Sequence, residues 1–326
     1  MPLLRESARS PQELARRILA GDRRALARGL SLLENDAAAG ERLLAELFPA
    51  AGQARVIGIT GPPGAGKSTL ASALARLYRG RGERVAILAV DPTSAFSGGA
   101  LLGDRIRMQE HWRDQDIYIR SMATRGALGG LAAATPRLAD ALDAAGFQRI
   151  LVETVGVGQD EIEIARAADL TLLVLVPGLG DDVQTLKAGV MEIADVLVVN
   201  KADRGPERLE QELRAALALE APEAAGWRPP VVRTVATSGE GLEALAGAIA
   251  AREAALADGG RERRRRQQWR QRLAALAAER LSRQLRSPGA ERELEDMAAA
   301  IAAGRLNPYR DQLLERFLDR LLQTPR

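Results

Sequence analysis

The chain has 326 residues, 46% hydrophobic and 27% charged, with a net charge of +3. This is enough apolar material for a sizeable core in one large or two ordinary domains. Cysteine is absent and the one histidine is His111, which excludes disulfides, zinc–cysteine sites, iron–sulfur clusters, cysteine nucleophiles and multi-histidine metal centres. Aromatic residues make up 3%, too few for a broad base-stacking surface.

In chain order, residues 1–53 read as an amphipathic helical extension punctuated by Gly21 and Gly40. Seven short apolar runs follow: VIGIT (56–60), VAILAV (85–90), IYIRSM (117–122), RILVET (149–154), LTLLVLV (170–176), DVLVVN (195–200) and VVRTVA (231–236). Most are continuous rather than alternating, as expected of parallel strands covered by helices on both faces. The segments between them are long enough for crossover helices. Residues 54–251 are therefore expected to form a doubly wound α/β domain. No strand candidate remains in 252–326, which reads as helices over about 260–286 and 290–303, a break at RSPG, and a third helix in NPYRDQLLERFLDRLL. Leu273, Leu276, Leu281 and Leu285 mark its apolar positions, and the segment is expected to be a dimerisation arm. RERRRR (261–266) reads as a solvated or partner-facing surface rather than a nucleic-acid patch. The longest strongly apolar run, Leu170–Val176, is far short of the roughly 20 residues of a membrane span. With no signal peptide visible, the expectation is a cytoplasmic protein with no membrane and no nucleic-acid partner.

The strongest motif is Gly61-Pro62-Pro63-Gly64-Ala65-Gly66-Lys67-Ser68, continued by Thr69, between the first strand and a helix. It matches G-x-x-x-x-G-K-[ST] in the required context. Its glycines let successive N–H groups converge on phosphates, and the helix adds its positive end. Lys67 is expected to reach the β/γ-phosphates and Ser68 to ligate Mg²⁺. In ETVGVGQDE, Glu153 ends a strand where an acid holds Mg²⁺ through water, and Gly156 offers a backbone N–H to a γ-phosphate. Gln159, in the same segment, reads as solvated rather than water-orienting, and His111 as packed or surface rather than catalytic. In DPTSAFSGGALLGDRIRM, Asp91 and Asp104 are candidate Mg²⁺-water contacts of a switch loop. NKAD, Asn200 to Asp203, ends the sixth strand. Asp203 can accept from guanine N1–H and N2–H₂, donors that adenine lacks there. Lys201 can cover the base and Asn200 can brace neighbouring loops. The companion loop RTVATSGEG has Val235-Ala236 where Ser-Ala is usual, with the Ala236 N–H expected to meet guanine O6.

These motifs, with SMATRGALGGLA (121–132) and PGLGDDVQTLKAGVMEIAD (177–195), stand in the order that resembles the MeaB/ArgK family of P-loop GTPases. The resemblance covers nearly the whole chain. It implies a Mg²⁺-dependent, slowly turning-over GTPase that acts as a homodimeric chaperone for an adenosylcobalamin-dependent acyl-CoA mutase, typically methylmalonyl-CoA mutase. Such a protein gates cofactor loading and protects the mutase. Lys187 then falls in the family's extra switch region. Only three of the 46 basic residues are lysines, and the other two, Lys67 and Lys201, lie in the nucleotide motifs, which favours a working role for Lys187 too. The catalytic set on this reading is Lys67, Asp91, Glu153 and Lys187. Two rival readings remain: an amino-acid transport-system ATPase or kinase, opposed by NKAD, and a nickel-enzyme maturation GTPase, opposed by the lack of a Cys/His cluster.

Overall fold

The computed structural model describes residues 10–92, 114–124, 130–154, 167–178, 191, 193–219, 226–310 and 312–323. It forms two compact units, Met1–Gln268 and Trp269–Arg326.

The first unit is built on a seven-stranded sheet: β1 (Arg55–Thr60), β2 (Val85–Pro92), β3 (Ile117–Thr124), β4 (Arg149–Thr154), β5 (Leu170–Leu175), β6 (Val196–Asn200) and β7 (Val231–Thr234). Every pairing is parallel, in the order β3-β2-β4-β1-β5-β6-β7. The continuous apolar runs have the cause expected of them. In β2, Ala86, Leu88 and Val90 face one core while Val85 and Ile87 face the other. A strand buried on both faces has no polar side to alternate with.

Three helices precede the sheet: α1 (Pro11–Leu19), α2 (Arg23–Asn35) and α3 (Ala37–Leu47). Each starts on a side-chain cap: Ser10 accepts from the Glu13 N–H, Asp22 from those of Arg24 and Ala25, and Asp36 from that of Ala39. Their Leu14, Ile18, Leu30 and Leu43 share one hydrophobic cluster with Tyr118, Ile150 and α5 (Gly130–Ala144). Arg120 of β3 fixes this packing by pairing with Glu34 at 2.6 Å. The N-terminal helices are thus continuous with the sheet's core. The opposite face is covered by α4 (Lys67–Gly80) and α7 (Leu242–Ala255), and the β5–β6 end of the first face by α6 (Glu207–Leu219).

Helix α8 (Gly260–Leu285) begins in the first unit. Its Arg261, Arg264, Arg265 and Gln268 occupy one face, at helical spacing. Arg264 holds Asp195 through two bonds of 2.9 Å, Arg265 donates to the Gly52 carbonyl, and Gln268 to that of Ala168. This corrects the reading of RERRRR as a solvated surface. Glu262, Arg263 and Arg266 are exposed, but the alternate face docks on the N-terminal edge of the sheet.

The second unit comprises the rest of α8, α9 (Pro288–Ala302) and α10 (Leu313–Gln323). Ser287 caps α9 and Pro288 opens it. A small core of Ala290, Phe317 and Leu321 takes in Leu281, Leu285 and Met297, so two of the four leucines noted in the sequence are spent inside the unit. Leu273 and Leu314 are exposed. Among the described residues no helix is long and apolar enough to cross a membrane.

Candidate functional site

The described motif residues converge outside the carboxyl ends of β1, β4, β6 and β7, where parallel α/β sheets bind ligands. The loop after β1 is shaped by its glycines. Gly61 has φ +142°, and a Cβ there would collide with the Val174 carbonyl. Gly66 is the left-handed residue before α4, and a Cβ on it would sit 2.6 Å from Asn200 Nδ2. Ala65 is buried, whereas Pro63 and Gly64 face solvent. Lys67 begins α4 and is 5% exposed. Its ammonium donates to the carbonyls of Gly61, at 2.7 Å, and Pro62, at 3.0 Å. The lysine is thereby held inside the loop that it follows.

Ser68 Oγ donates to Glu153 Oε1 at 2.5 Å. Glu153 is 5% exposed, at the end of β4, where it stands opposite Ile59 of β1. The pairing of β1 with β4 therefore brings together two groups 85 positions apart. Thr69 lies half-buried beside them in α4.

Asn200 is the hub of the base side. Buried at the end of β6, it donates from Nδ2 to the Ala65 carbonyl at 2.9 Å. Its Oδ1 accepts from Thr234 Oγ1 and from the Ala236 N–H, both at 3.2 Å. One side chain therefore joins the phosphate loop, β6 and the loop after β7. The Ala236 N–H, expected to meet guanine O6, is given to Asn200. Val235 instead bridges Glu240. Lys201 adopts φ +54° and donates to the Gly64 carbonyl at 2.8 Å. Asp203 is exposed, in a short 3₁₀ turn.

The backbone of Asp91 lies in β2 opposite Ala123, but its side chain is outside the described residues. Asp104, His111, Gly156, Gln159 and Lys187 also lie outside them. Among the described residues, no three His, Cys, Asp or Glu side chains gather as a metal cluster.

Two features had not been singled out in the sequence. Thr234 supports Asn200, and only its place at the end of the seventh run hinted at that. Asp195, 2% exposed, accepts from Arg252 Nε at 2.6 Å, from both terminal nitrogens of Arg264, and from the Thr171 N–H at 2.8 Å. Nothing local in the sequence marks Arg252 as its partner.

The family model of the methylmalonyl-CoA mutase-associated GTPase MeaB matches residues 26–290. The chain belongs to the MeaB family. It is a GTPase, binding GTP and hydrolysing it to GDP and phosphate. A Pyrococcus horikoshii protein with a provisional GTPase name is 46% identical over 318 residues, covering 94% of this chain and 98% of that one. GTPase ArgK of Escherichia coli is 36% identical over 269 residues, 78% and 80% of the two chains. The mouse mitochondrial methylmalonic aciduria type A homolog is 43% identical over 190 residues, covering 57% of this MeaB-family chain and 46% of the mouse protein. Among solved structures, an LAO/AO transport system kinase superposes with a TM-score of 0.70 at 28% identity, over 99% of this chain and 100% of that one.

Proposed function

We propose that this MeaB-family GTPase is a Mg²⁺-dependent switch that chaperones an adenosylcobalamin-dependent acyl-CoA mutase, gating cofactor loading and protecting the loaded enzyme. The carrying observation is the match of residues 26–290 to a family named for its association with methylmalonyl-CoA mutase. The mouse relative, named for methylmalonic aciduria, supports the same reading.

The site supports the chemistry as follows. The loop Gly61–Ser68 cradles the phosphates with its N–H groups, aided by the N-terminal end of α4. Lys67 exchanges the Gly61 and Pro62 carbonyls for β/γ-phosphate oxygens, so that its charge is placed where charge develops during transfer. Asn200 keeps the phosphate loop and the base side in register. Lys201 lies along the phosphate loop and covers the base with its stem, while Asp203 reads guanine from its exposed turn.

Ser68 Oγ and Glu153 Oε1 are two hard oxygen atoms in contact. That donor set fits Mg²⁺, which takes few protein ligands and completes its shell with water and phosphate. Bound there, the ion would neutralise charge on the transferred phosphoryl group. Asp91 and Asp104 are assigned to its water shell, and Gly156 and Lys187 to sensing the γ-phosphate and relaying it to the partner. Residues 252–326 are assigned to homodimerisation, and the protein to the cytoplasm.

The test is gel filtration of the full chain with the methylmalonyl-CoA mutase of the same organism, in GDP and in a non-hydrolysable GTP analogue, with and without Mg²⁺. A nucleotide-dependent complex supports the reading. Failure to co-elute in every nucleotide state refutes the chaperone role. Wild-type ADP affinity equal to GDP affinity would instead favour a transport kinase.

A further inference from the structure

The nucleotide motifs use only the carboxyl ends of the strands. At the other edge of the sheet a small cleft opens between the starts of β1 and β5, the end of α7 and the first turns of α8. Its charged lining is Arg55, Arg261 and Arg264 with Asp169 and Glu253. Arg55 and the phosphate loop stand at opposite ends of β1, about 16 Å apart along the strand at 3.3 Å per residue.

The two carboxylates make their hydrogen bonds elsewhere. Glu253 bonds Arg149 at 2.5 Å and approaches Arg55 only to 4.0 Å. Asp169 Oδ2 accepts from the Val56 N–H. Arg264 is turned to Asp195. Arg55 Nη1 and Arg261 Nε are left buried with no hydrogen-bond partner among the described residues. Buried unpaired donors of this kind need a partner such as water or an ion. Water would satisfy the N–H groups but not the repulsion between the guanidiniums. Burial, then the charges of Arg55 and Arg265, only partly offset by Asp169 and Glu253, hold the Arg261 guanidinium below its ordinary range. An anion answers both demands. A tetrahedral oxyanion has acceptor oxygens on several sides, so forks arriving from a strand and from a helix can each find a pair.

We propose that this cleft binds a phosphate-type oxyanion between Arg55 and Arg261, either free phosphate or the phosphomonoester end of a larger ligand. The experiment uses the full chain saturated with GDP, so that the phosphate loop is occupied. Inorganic phosphate and phenyl phosphate are titrated separately by calorimetry into wild type, Arg55→Gln and Arg261→Gln. Saturable binding is expected in the wild type, weakened on the order of tenfold or more in each variant, with GDP affinity unchanged. Tighter phenyl phosphate binding identifies the phosphomonoester source, and tighter inorganic phosphate binding the free ion. Retained GDP binding reports that a variant is folded. Should one variant fail to fold, the other carries the comparison. The proposal is overturned if neither probe binds the wild type saturably, or if the folded variants bind as the wild type does.

Discussion

Replacing Asn200 tests whether the two halves of the site are held by one side chain. Asn200→Ala removes three hydrogen bonds, to the Ala65 carbonyl, Thr234 Oγ1 and the Ala236 N–H. At about 1 kcal/mol net for each, the loss is roughly 3 kcal/mol, and it grows if the abandoned groups stay dry. Asn200→Asp separates the contributions. Its oxygens can still accept from Thr234 and Ala236, but an anionic oxygen replaces the amide that lay 2.9 Å from the Ala65 carbonyl. The tie to the phosphate loop is then lost and turned repulsive, while the base-side bonds remain. Three kcal/mol corresponds to a factor on the order of 10² in an equilibrium constant. Asn200→Ala should therefore lose GDP affinity approaching that factor and Asn200→Asp a smaller part of it, read by titration of a fluorescent GDP analogue, with thermal unfolding run in parallel. A lowered melting temperature with wild-type GDP affinity would refute the reasoning, because the bonds would then hold the fold and not the site.

Other outcomes follow from the same geometry. Lys67→Ala should abolish tight GDP binding in calorimetry, and wild-type affinity would remove the phosphate-loop assignment. Asp203→Asn should weaken GDP on the order of a hundredfold and gain preference for XDP, whose 2-carbonyl meets the new amide; unchanged GDP:XDP competition counts against guanine reading by Asp203. Asp195→Asn leaves two arginines facing a buried neutral group, and should cost about 3–5 kcal/mol in urea unfolding, whereas a loss under 1 kcal/mol would mean the cluster is dispensable. Glu210 is held below the usual carboxylate range by its hydrogen bond to Arg233 and by Arg214. This lowered value adds stability above the unfolded carboxyl range that disappears as pH falls through the folded value. Urea midpoints of wild type and Glu210→Gln should therefore differ near neutrality and converge as pH falls below the ordinary carboxylate range; a constant gap would show that charge is not its cause.

The strands were legible because burial on both faces leaves a signature within each run. RILVET, for example, is β4 from first residue to last. The order of the sheet was not legible, since neighbours such as β1 and β4 are set by crossovers rather than by local pattern. Asn200 was readable as a brace through its motif, but its partners were not, because they lie 34 to 135 positions away. The arginine run misled for a related reason. Composition gives the charge of a helix, whereas i, i+3, i+4, i+7 spacing gives its faces. Arg261, Arg264, Arg265 and Gln268 fall on one of them. Asp195, the acceptor for Arg264, precedes an apolar strand and looks from sequence like an ordinary strand start.

The division of labour in the site constrains how it could act as a switch. Asn200, Thr234, Ala236 and Ala65 are locked by buried bonds, and on the proposed reading they serve the base and the shape of the phosphate loop. GDP and GTP share the base and the α- and β-phosphates, so contacts to these parts bind both alike. Equal affinity for two states shifts no equilibrium, however tight the binding. The free energy that separates the GTP form from the GDP form must come from groups that meet the γ-phosphate or its ion. On the proposed reading those are, of the described residues, Lys67, which would give up the Gly61 and Pro62 carbonyls, and the Ser68–Glu153 pair, whose 2.5 Å hydrogen bond would open to admit a cation. Both rearrangements break contacts present without nucleotide, and each contributes to switching only by the amount that the γ-phosphate repays beyond what the β-phosphate already does. On that reading the hydrogen-bonded base side selects the nucleotide, and these three side chains carry the part of the binding that depends on the third phosphate.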